Sequence, residues 1–201
     1  MNKKIKWIIF DVGGTIIYPT LINPKGYKVH DQLISQKEIE SLYYTEEYEQ
    51  YMLGYLTHYD FIKKFLKDKK LNISVSEFDD LLKTDITPIK GMKELIMNLA
   101  KTYKIALATN EGNLFCKYKI DGSKVRKYVS KIITSWELHI VKPSLPFFER
   151  TLDILDARPE ECIFIDDVED NVLAAKKLGT KTILFTNKKN LLGELQILNL
   201  I

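Results

Sequence analysis

The sequence predicts an α/β protein with a Rossmann-like, doubly wound parallel sheet and an inserted α-helical cap domain. Three observations predict it: five short apolar runs, helical patterns between most of them, and one long insert without a strand pattern. The runs are continuous rather than alternating, as in strands that are covered on both faces. They are Ile5–Phe10, Lys104–Thr109, Lys131–Ser135, Cys162–Ile165 and Lys181–Phe185. Strands that alternate with helices indicate a parallel sheet.

Three segments between or after these runs have helical spacing of their apolar residues. They are Met92–Ala100, Pro146–Leu155 and Val168–Leu178. Ser144 is a candidate N-cap for the second, which has Pro146 in its first turn. Gly179 is expected to end the third in a left-handed conformation. The tail from Asn187 onward is expected to form a final short helix.

The segment from Tyr18 to Pro88 interrupts the alternation, because it contains polar, aromatic-rich helical patterns and no strand pattern. The predicted helices are Asp31–Tyr44, Glu46–Lys67 and Val75–Lys83. We therefore expect a core domain of residues 1–17 and 89–201, with a helical cap domain of residues 18–88 between its first and second strands.

Composition excludes several classes of protein. The chain has 201 residues, is 45% hydrophobic and carries a net charge of +3, which is ordinary for a soluble globular domain. Its scattered lysines and its three arginines do not favour nucleic-acid binding. No apolar run is long enough for a signal peptide or a membrane span. Cys116 and Cys162 are far apart in sequence, so a disulfide framework is not expected. We therefore expect a cytoplasmic location.

Polar residues follow four of the predicted strands, at the edge where the carboxyl ends of parallel strands meet and ligands bind. Singly, most of them are explained as turn, capping or solvated residues. Adjacent carboxylates at the end of a buried run repel each other unless a cation offsets them, and Mg²⁺ is one such cation. These residues are Asp11, Thr109, Asn110, Lys142, Asp166 and Asp167.

Four motifs in order resemble those of the haloacid dehalogenase (HAD) superfamily, most of whose members are phosphatases. They are "IIFDVGGT", "IALATN", "IVKPSLPFF" and "FIDDVEDNVLAAKKLG". The resemblance covers the core from Lys4 to about Thr186, and the insert matches the helical cap type in position and character.

The resemblance implies a role for each matching residue. Asp11 is the nucleophile that forms an aspartyl-phosphate, Thr109 and Asn110 bind the phosphoryl oxygens, and Lys142 neutralises charge. The implied Mg²⁺ ligands are Asp11, the backbone carbonyl of Gly13, Asp166 and Asp167. Of the two adjacent acids, Asp167 is the expected direct ligand. Thr15 and Asn171 are expected to support the site.

The sequence departs from the family at Gly13, where most HAD phosphatases have a second aspartate that protonates the leaving oxygen and activates water. Such a group contributes about 10²- to 10⁴-fold to the rate. Three explanations are open. The substrate has a good leaving group, such as an anomeric, aryl or acyl phosphate; another group or a water molecule replaces the aspartate; or the protein is not a phosphatase. By chemistry alone the replacing groups are His30, Asp31, His58 and Asp60.

A branch of the superfamily that includes bacterial α-glucose-1-phosphatases also has Asp-x-Gly in the first motif. It shares the fourth-motif pattern found here at Asp166, Asp167, Asp170 and Asn171. The sequence therefore predicts a Mg²⁺-dependent phosphatase for a small phosphorylated metabolite, with no nucleic-acid or membrane partner. One alternative is a catalytically silent HAD domain used for binding or regulation. The other, a 2-haloacid dehalogenase, is less favoured because the acid pair Asp166–Asp167 is not expected in the fourth motif of those enzymes.

Overall fold

The computed structural model describes residues 5–18, 25–84 and 86–201. Five parallel strands form the central sheet in the order β5-β4-β1-β6-β7. Their bounds are β1 Trp7–Phe10, β4 Lys104–Thr109, β5 Lys131–Thr134, β6 Cys162–Asp166 and β7 Lys181–Leu184. All five predicted strands are therefore confirmed to within two residues at each end, and β1 lies at the centre of the sheet.

Helices cover both faces of this sheet, as predicted for a doubly wound fold. They are α5 Met92–Leu99, α6 Asn113–Ser123, α7 Ser135–Leu138, α8 Leu145–Leu155, α9 Glu169–Lys177 and α10 Lys188–Ile197. Successive side chains of a strand point to opposite faces. Accordingly, Ile8 and Phe10 belong to one apolar cluster with residues of α5, α6 and α10. Trp7 and Ile9 belong to another with residues of α8 and α9.

The predicted ends of the three core helices α5, α8 and α9 agree with the structure within one residue. Ser144 is the N-cap residue of α8, but its hydroxyl donates to the Val141 carbonyl rather than accepting from the first turn. Gly179 follows α9 with a φ of +89°, the left-handed conformation expected of a residue just past a helix end. Short 3₁₀ turns cover Arg126–Tyr128 and Pro159–Glu161.

The insert contains a β-hairpin, so the prediction that it has no strand was wrong. Strands β2 Tyr27–Val29 and β3 Gln32–Ile34 pair antiparallel. Each is only three residues long, too short for an alternating pattern to be recognised. The predicted helix Asp31–Tyr44 shrinks to α1 Gln36–Glu40, which starts at a Ser35 capping box and runs into a 3₁₀ turn at Ser41–Tyr44.

The rest of the insert is helical, with α2 Glu46–Met52, α3 His58–Asp68 and α4 Val75–Thr84. The single helix predicted over Glu46–Lys67 is broken at residues 53–57. Gly54 has a φ of +74° there, and a Cβ on it would lie 2.7 Å from the Trp136 carbonyl oxygen. The insert has its own apolar cluster, centred on buried aromatic residues such as Tyr51, Phe61 and Phe78.

The two segments that join the insert to the rest of the chain lie next to each other. The Tyr18 amide donates to the Thr87 carbonyl over 3.0 Å, and Ile17 forms an antiparallel bridge with Pro88. Among the described residues, no helix is long and apolar enough to cross a membrane. Both cysteines are free and buried, and burial raises the pKa of each to about 12.

Candidate active site

The carboxyl ends of the three central strands bring the predicted site residues together. Phe10 pairs with Leu107 on one side and Ile165 on the other, so β1, β4 and β6 end within two residues of the same level. Asp11 follows β1, and its amide donates to the Ile165 carbonyl over 2.8 Å. Thr109 ends β4 and Asp166 ends β6, and both are buried. The convergence predicted from the parallel sheet is therefore observed.

Lys142 is the cation at the centre of this site. Its Nζ lies 2.6 Å from Asp11 Oδ1, 2.7 Å from Asp166 Oδ2 and 2.9 Å from the Ala108 carbonyl oxygen. The side chain is 2% exposed. All three donors of the ammonium are thus used, which fixes its position. Burial opposes the charge, but the two carboxylates outweigh it and raise the pKa of Lys142.

Asp166 is enclosed by protein donors. Besides Lys142, its carboxylate accepts from the Val168 amide at 2.9 Å and from Asn171 Nδ2 at 3.1 and 3.0 Å to its two oxygens. The residue has no exposed surface. The Asn171 amide therefore fixes the Asp166 carboxylate, which in turn contacts Lys142.

Asp167 is exposed, unlike Asp11 and Asp166. One carboxylate oxygen from each of these three residues lies within 4.8 Å of the others. Burial and the neighbouring negative charge of Asp166 raise the pKa of Asp167. The carboxylates of Asp166 and Asp167 therefore repel each other unless a cation offsets their charge. Carboxylate oxygens are the ligands of hard divalent cations. The donor set therefore fits such an ion, with Asp167 as its most accessible member.

The pKa of Asp11 is raised from 3.8 to about 6, chiefly by burial, with Lys142 opposing the shift and Asp166 adding to it. Most Asp11 side chains are therefore ionised at pH 7. An ionised carboxylate can attack an electrophile without a separate base, so this chemistry is open to Asp11.

The two glycines near Asp11, Gly13 and Gly14, differ in how strongly the structure requires a glycine at each position. Gly14 has a φ of +76°, which strains any other residue, and a Cβ on it would lie 2.1 Å from Asp167 Oδ2 and displace that side chain. A Cβ on Gly13 would meet no atom of the described residues within 4 Å. The hydrogen bonds of the Gly13–Ile17 bridge use the Val12 carbonyl and the Gly14 amide, so they leave the Gly13 carbonyl out. Nothing in the local packing requires glycine at position 13.

Two other predicted residues, Asn110 and Thr15, have surroundings that sequence alone did not reveal. Asn110 exchanges two 2.8 Å hydrogen bonds with the backbone of Lys142, so its amide holds the lysine loop in place. Its role in phosphate binding stays a prediction. Thr15 is fully buried, and its hydroxyl makes no hydrogen bond among the described residues, although it helps to lower the pKa of Asp167.

The residues considered as replacements for the missing acid–base group belong to the insert, and three of them have partners there. His30 is exposed and bonds Glu77, and Asp60 accepts from Thr57. His58 is buried, 2.7 Å from Asp79 and 3.2 Å from the Tyr51 hydroxyl. Asp31 is exposed. These contacts explain His58 and Asp60 as structural residues.

Sequence reasoning missed Glu111, which directly follows Thr109 and Asn110. It is 1% exposed and bonds Tyr48, Gly112 and Lys119. Its position directly after the second motif was the available signal. Its buried partners come from elsewhere in the fold and could not be inferred from spacing.

Fold and site together define a class: a hydrolase with a parallel α/β sheet, in which a buried carboxylate, a lysine and an acid pair converge at one sheet edge. The chain belongs to the haloacid dehalogenase-like hydrolase family, whose profile matches residues 8–185. This confirms the resemblance read from the four motifs.

Individual relatives are more distant. The chain is 23% identical to a protein named pyrophosphatase PpaX from Bacillus mycoides, over 90% of this chain and 83% of that protein. A HAD family enzyme from Bacteroides thetaiotaomicron, solved with magnesium and inorganic phosphate, has a TM-score of 0.74 at 22% identity, over 92% of this chain and 96% of that one. L-2-haloacid dehalogenase from Xanthobacter autotrophicus has a TM-score of 0.64 at 16% identity, over 98% and 84%. These structural likenesses establish the fold.

Proposed function

We propose that this hydrolase is a Mg²⁺-dependent phosphatase that acts on a small phosphorylated metabolite through an aspartyl-phosphate on Asp11. The observation that carries the proposal is the ammonium of Lys142 between Asp11 and Asp166, beside the exposed Asp167. A silent binding domain has no physical need for a buried, charged cluster of this kind, because isolated buried charges are costly.

Asp11 attacks the phosphorus in the first step. A bond forms between its carboxylate oxygen and phosphorus as the bond to the leaving oxygen breaks, and the leaving group departs as an anion or takes a proton from water. Lys142 and Thr109 offset the charge of the phosphoryl oxygens. In the second step water attacks the phosphorus, releases inorganic phosphate and regenerates the Asp11 carboxylate.

Asp11, Asp167 and, directly or through water, Asp166 would hold the cation, with the Gly13 carbonyl as a further ligand. The bound ion supplies positive charge that offsets the phosphoryl oxygens in the transition state. Magnesium and phosphate in the Bacteroides thetaiotaomicron structure support this choice of ion.

Gly13 narrows the proposed substrates to those with good leaving groups. Without an acid at this position, a leaving group that is stable as an anion reacts best, which favours anomeric, aryl and anhydride phosphates. The name of the PpaX relatives makes inorganic pyrophosphate, whose leaving group is phosphate itself, a specific candidate.

We further propose that residues 18–88 act as a cap over the core of residues 1–17 and 89–201 and select the substrate. An apolar cluster built mostly from insert residues, with Phe115 of α6 as its core member, and the paired entry and exit segments support this division. In this arrangement the insert excludes water from the sheet edge when substrate is bound.

A substrate panel tests the proposed function. Release of phosphate is measured from p-nitrophenyl phosphate, glucose 1-phosphate and pyrophosphate, and from the alkyl esters glucose 6-phosphate and glycerol phosphate, with Mg²⁺ or with EDTA. We expect turnover that requires Mg²⁺ and favours the first three compounds. The control is Asp11→Asn, which should remove all activity.

The other outcomes identify the alternatives. Equal rates on all five compounds would overturn the leaving-group argument. No turnover of any of them would favour a silent HAD domain. Halide release from 2-chloropropionate without Mg²⁺ would indicate a dehalogenase.

A further inference from the structure

Glu111 connects the core loop after β4 to the insert through its side chain. Its Oε1 accepts from the Tyr48 hydroxyl at 2.9 Å and from the Gly112 amide at 3.2 Å. Its Oε2 accepts from Lys119 Nζ on α6. Tyr48 lies on α2 of the insert, 63 positions away in sequence. This carboxylate therefore binds three groups, one of them from the insert.

The backbone of Glu111 leads to the insert as well. Its amide donates to Ser135 Oγ at 3.0 Å, and the Ser135 hydroxyl donates to the Met52 carbonyl at 2.8 Å. Met52 is the last residue of α2. Both ends of Glu111 are thus tied to the same insert helix, one directly and one through a buried serine.

A second hydroxyl from α2 reinforces this contact. Tyr51 accepts hydrogen bonds of 3.2 Å from the Leu114 and Phe115 amides, in the first turn of α6. A Cβ on Gly112 would lie 2.1 Å from the Tyr51 ring, so glycine permits this close approach. First-turn amides have no backbone acceptor within their own helix. The Leu114 amide also donates to Asn113 Oδ1 at 2.7 Å, and Tyr51 supplies an acceptor for the buried Phe115 amide.

The loop that Glu111 anchors is the one that carries the site. Glu111 follows Asn110, whose amide holds the backbone of Lys142, and Asn110 follows Thr109 at the end of β4. Tyr48 is therefore connected to the backbone of Lys142 through hydrogen bonds and the single peptide unit between Asn110 and Glu111. The proposed mechanism uses Thr109 and Lys142 but not Glu111.

We propose that Glu111 is a positioning residue that couples the insert to the loop of residues 109–112, so that the insert and the phosphate-contacting groups hold one another in place. The proposal rests on the proposed function for the role of that loop. In this arrangement the hydrogen bonds of Glu111 fix α2 to the core, so that displacement of α2 also displaces the loop of residues 109–112.

Hydrogen exchange tests the coupling without any assay of activity. Tyr48→Phe removes the hydroxyl that bonds Glu111 and keeps the ring. We expect exchange of the Leu114 and Phe115 amides, and of α2, to rise about tenfold or more, as for loss of a hydrogen bond to a charged group. Tyr43→Phe is the matched control, because Tyr43 packs edge-on against Tyr48 at 5.0 Å and its hydroxyl makes no hydrogen bond among the described residues.

Kinetics of two double variants separate positioning from charge balance. Glu111→Gln with Lys119→Met removes the ion pair but keeps an acceptor for Tyr48. Glu111→Leu with Lys119→Met removes both the ion pair and that acceptor. We expect kcat within about threefold of wild type for the first variant, and a fall of more than about tenfold for the second, with a smaller change in KM.

The outcomes are distinguishable from failure of the proposed function. Unchanged exchange at residues 109–115 in Tyr48→Phe would overturn the coupling, whatever the enzyme hydrolyses. Equal kcat values for the two double variants would show that Glu111 only neutralises Lys119. If no phosphate is hydrolysed at all, or if the leucine variant does not fold, the exchange experiment still decides.

Discussion

Lys142 and Asp11 form a buried ion pair, with 2.6 Å between Nζ and Oδ1, and the same ammonium lies 2.7 Å from Asp166. One cation therefore balances two carboxylates inside the protein. Removing that cation is more costly than its net contribution suggests, because it leaves two buried carboxylates without a partner. The stability of the protein and the proposed chemistry therefore both depend on the Lys142 side chain.

Lys142→Met is expected to lower the free energy of unfolding of the EDTA-treated protein by about 3–5 kcal/mol, because Asp11 and Asp166 lose their cation. Urea denaturation followed by circular dichroism measures this. Addition of Mg²⁺ should restore part of the loss, since a second cation then neutralises the cluster. Lys176→Met, an exposed change on α9, is the control and should have little effect. A fully stable Lys142→Met protein in EDTA would contradict the prediction.

Asp11→Asn should stabilise the metal-free protein at neutral pH. The folded-state pKa of Asp11 is raised from 3.8 to about 6, so the unfolded chain loses this proton at lower pH than the folded one. The contribution of Asp11 to stability is therefore complete below pH 3.8 and is lost as pH rises through about 6. The asparagine variant lacks this loss, which amounts to about 3 kcal/mol.

Urea denaturation in EDTA at pH 5 and pH 8 checks this sign. The stability gain of Asp11→Asn over wild type should be larger at pH 8. The same variant should have no phosphatase activity, which would make Asp11 a residue that is kept for chemistry at a cost in stability. A gain that is larger at pH 5 would refute the raised pKa.

Asp167→Asn is expected to weaken Mg²⁺ binding by tenfold or more, because Asp167 is the exposed carboxylate of the acidic cluster. Isothermal titration calorimetry at pH 7 gives the affinity directly. Glu169→Gln is the matched control, since Glu169 is an exposed acid two residues away in the first turn of α9. Equal weakening by both variants would mean that only the general negative charge of this surface matters.

The main features of the fold could be predicted because they depend on local composition. Continuous apolar runs of four to six residues predicted every strand of the main sheet, since each is covered on both faces. The meeting of Asp11, Lys142 and Asp166 followed from a general rule about parallel strands. In contrast, the hairpin strands β2 and β3 are three residues long, and no periodic signal survives at that length.

The contacts of the site were less predictable, because they depend on how the insert packs against the core. Glu111 is adjacent to two predicted residues, but its partner Tyr48 is 63 positions away, on an element whose placement the sequence does not specify. Asn110 was interpreted as a phosphate ligand from its motif, whereas its bonds to the Lys142 backbone depend on the path of a loop 32 positions later. Residue type and spacing do not encode such distances.

Gly13→Asp is expected to raise kcat/KM for alkyl phosphates such as glucose 6-phosphate by up to about 10²-fold, because it supplies the missing proton donor. The position has room for the change: a Cβ there meets no atom within 4 Å, and Gly13 is not among the glycines with positive φ. The rate on p-nitrophenyl phosphate should change much less, since that leaving group needs little protonation. Gly14→Ala is the contrasting variant, because its Cβ would lie 2.1 Å from Asp167 Oδ2, and it should lower activity on both substrates. If Gly13→Asp leaves the alkyl phosphate rate unchanged while Gly14→Ala still abolishes activity, another group already supplies the proton, and glycine at position 13 then places no restriction on the leaving group.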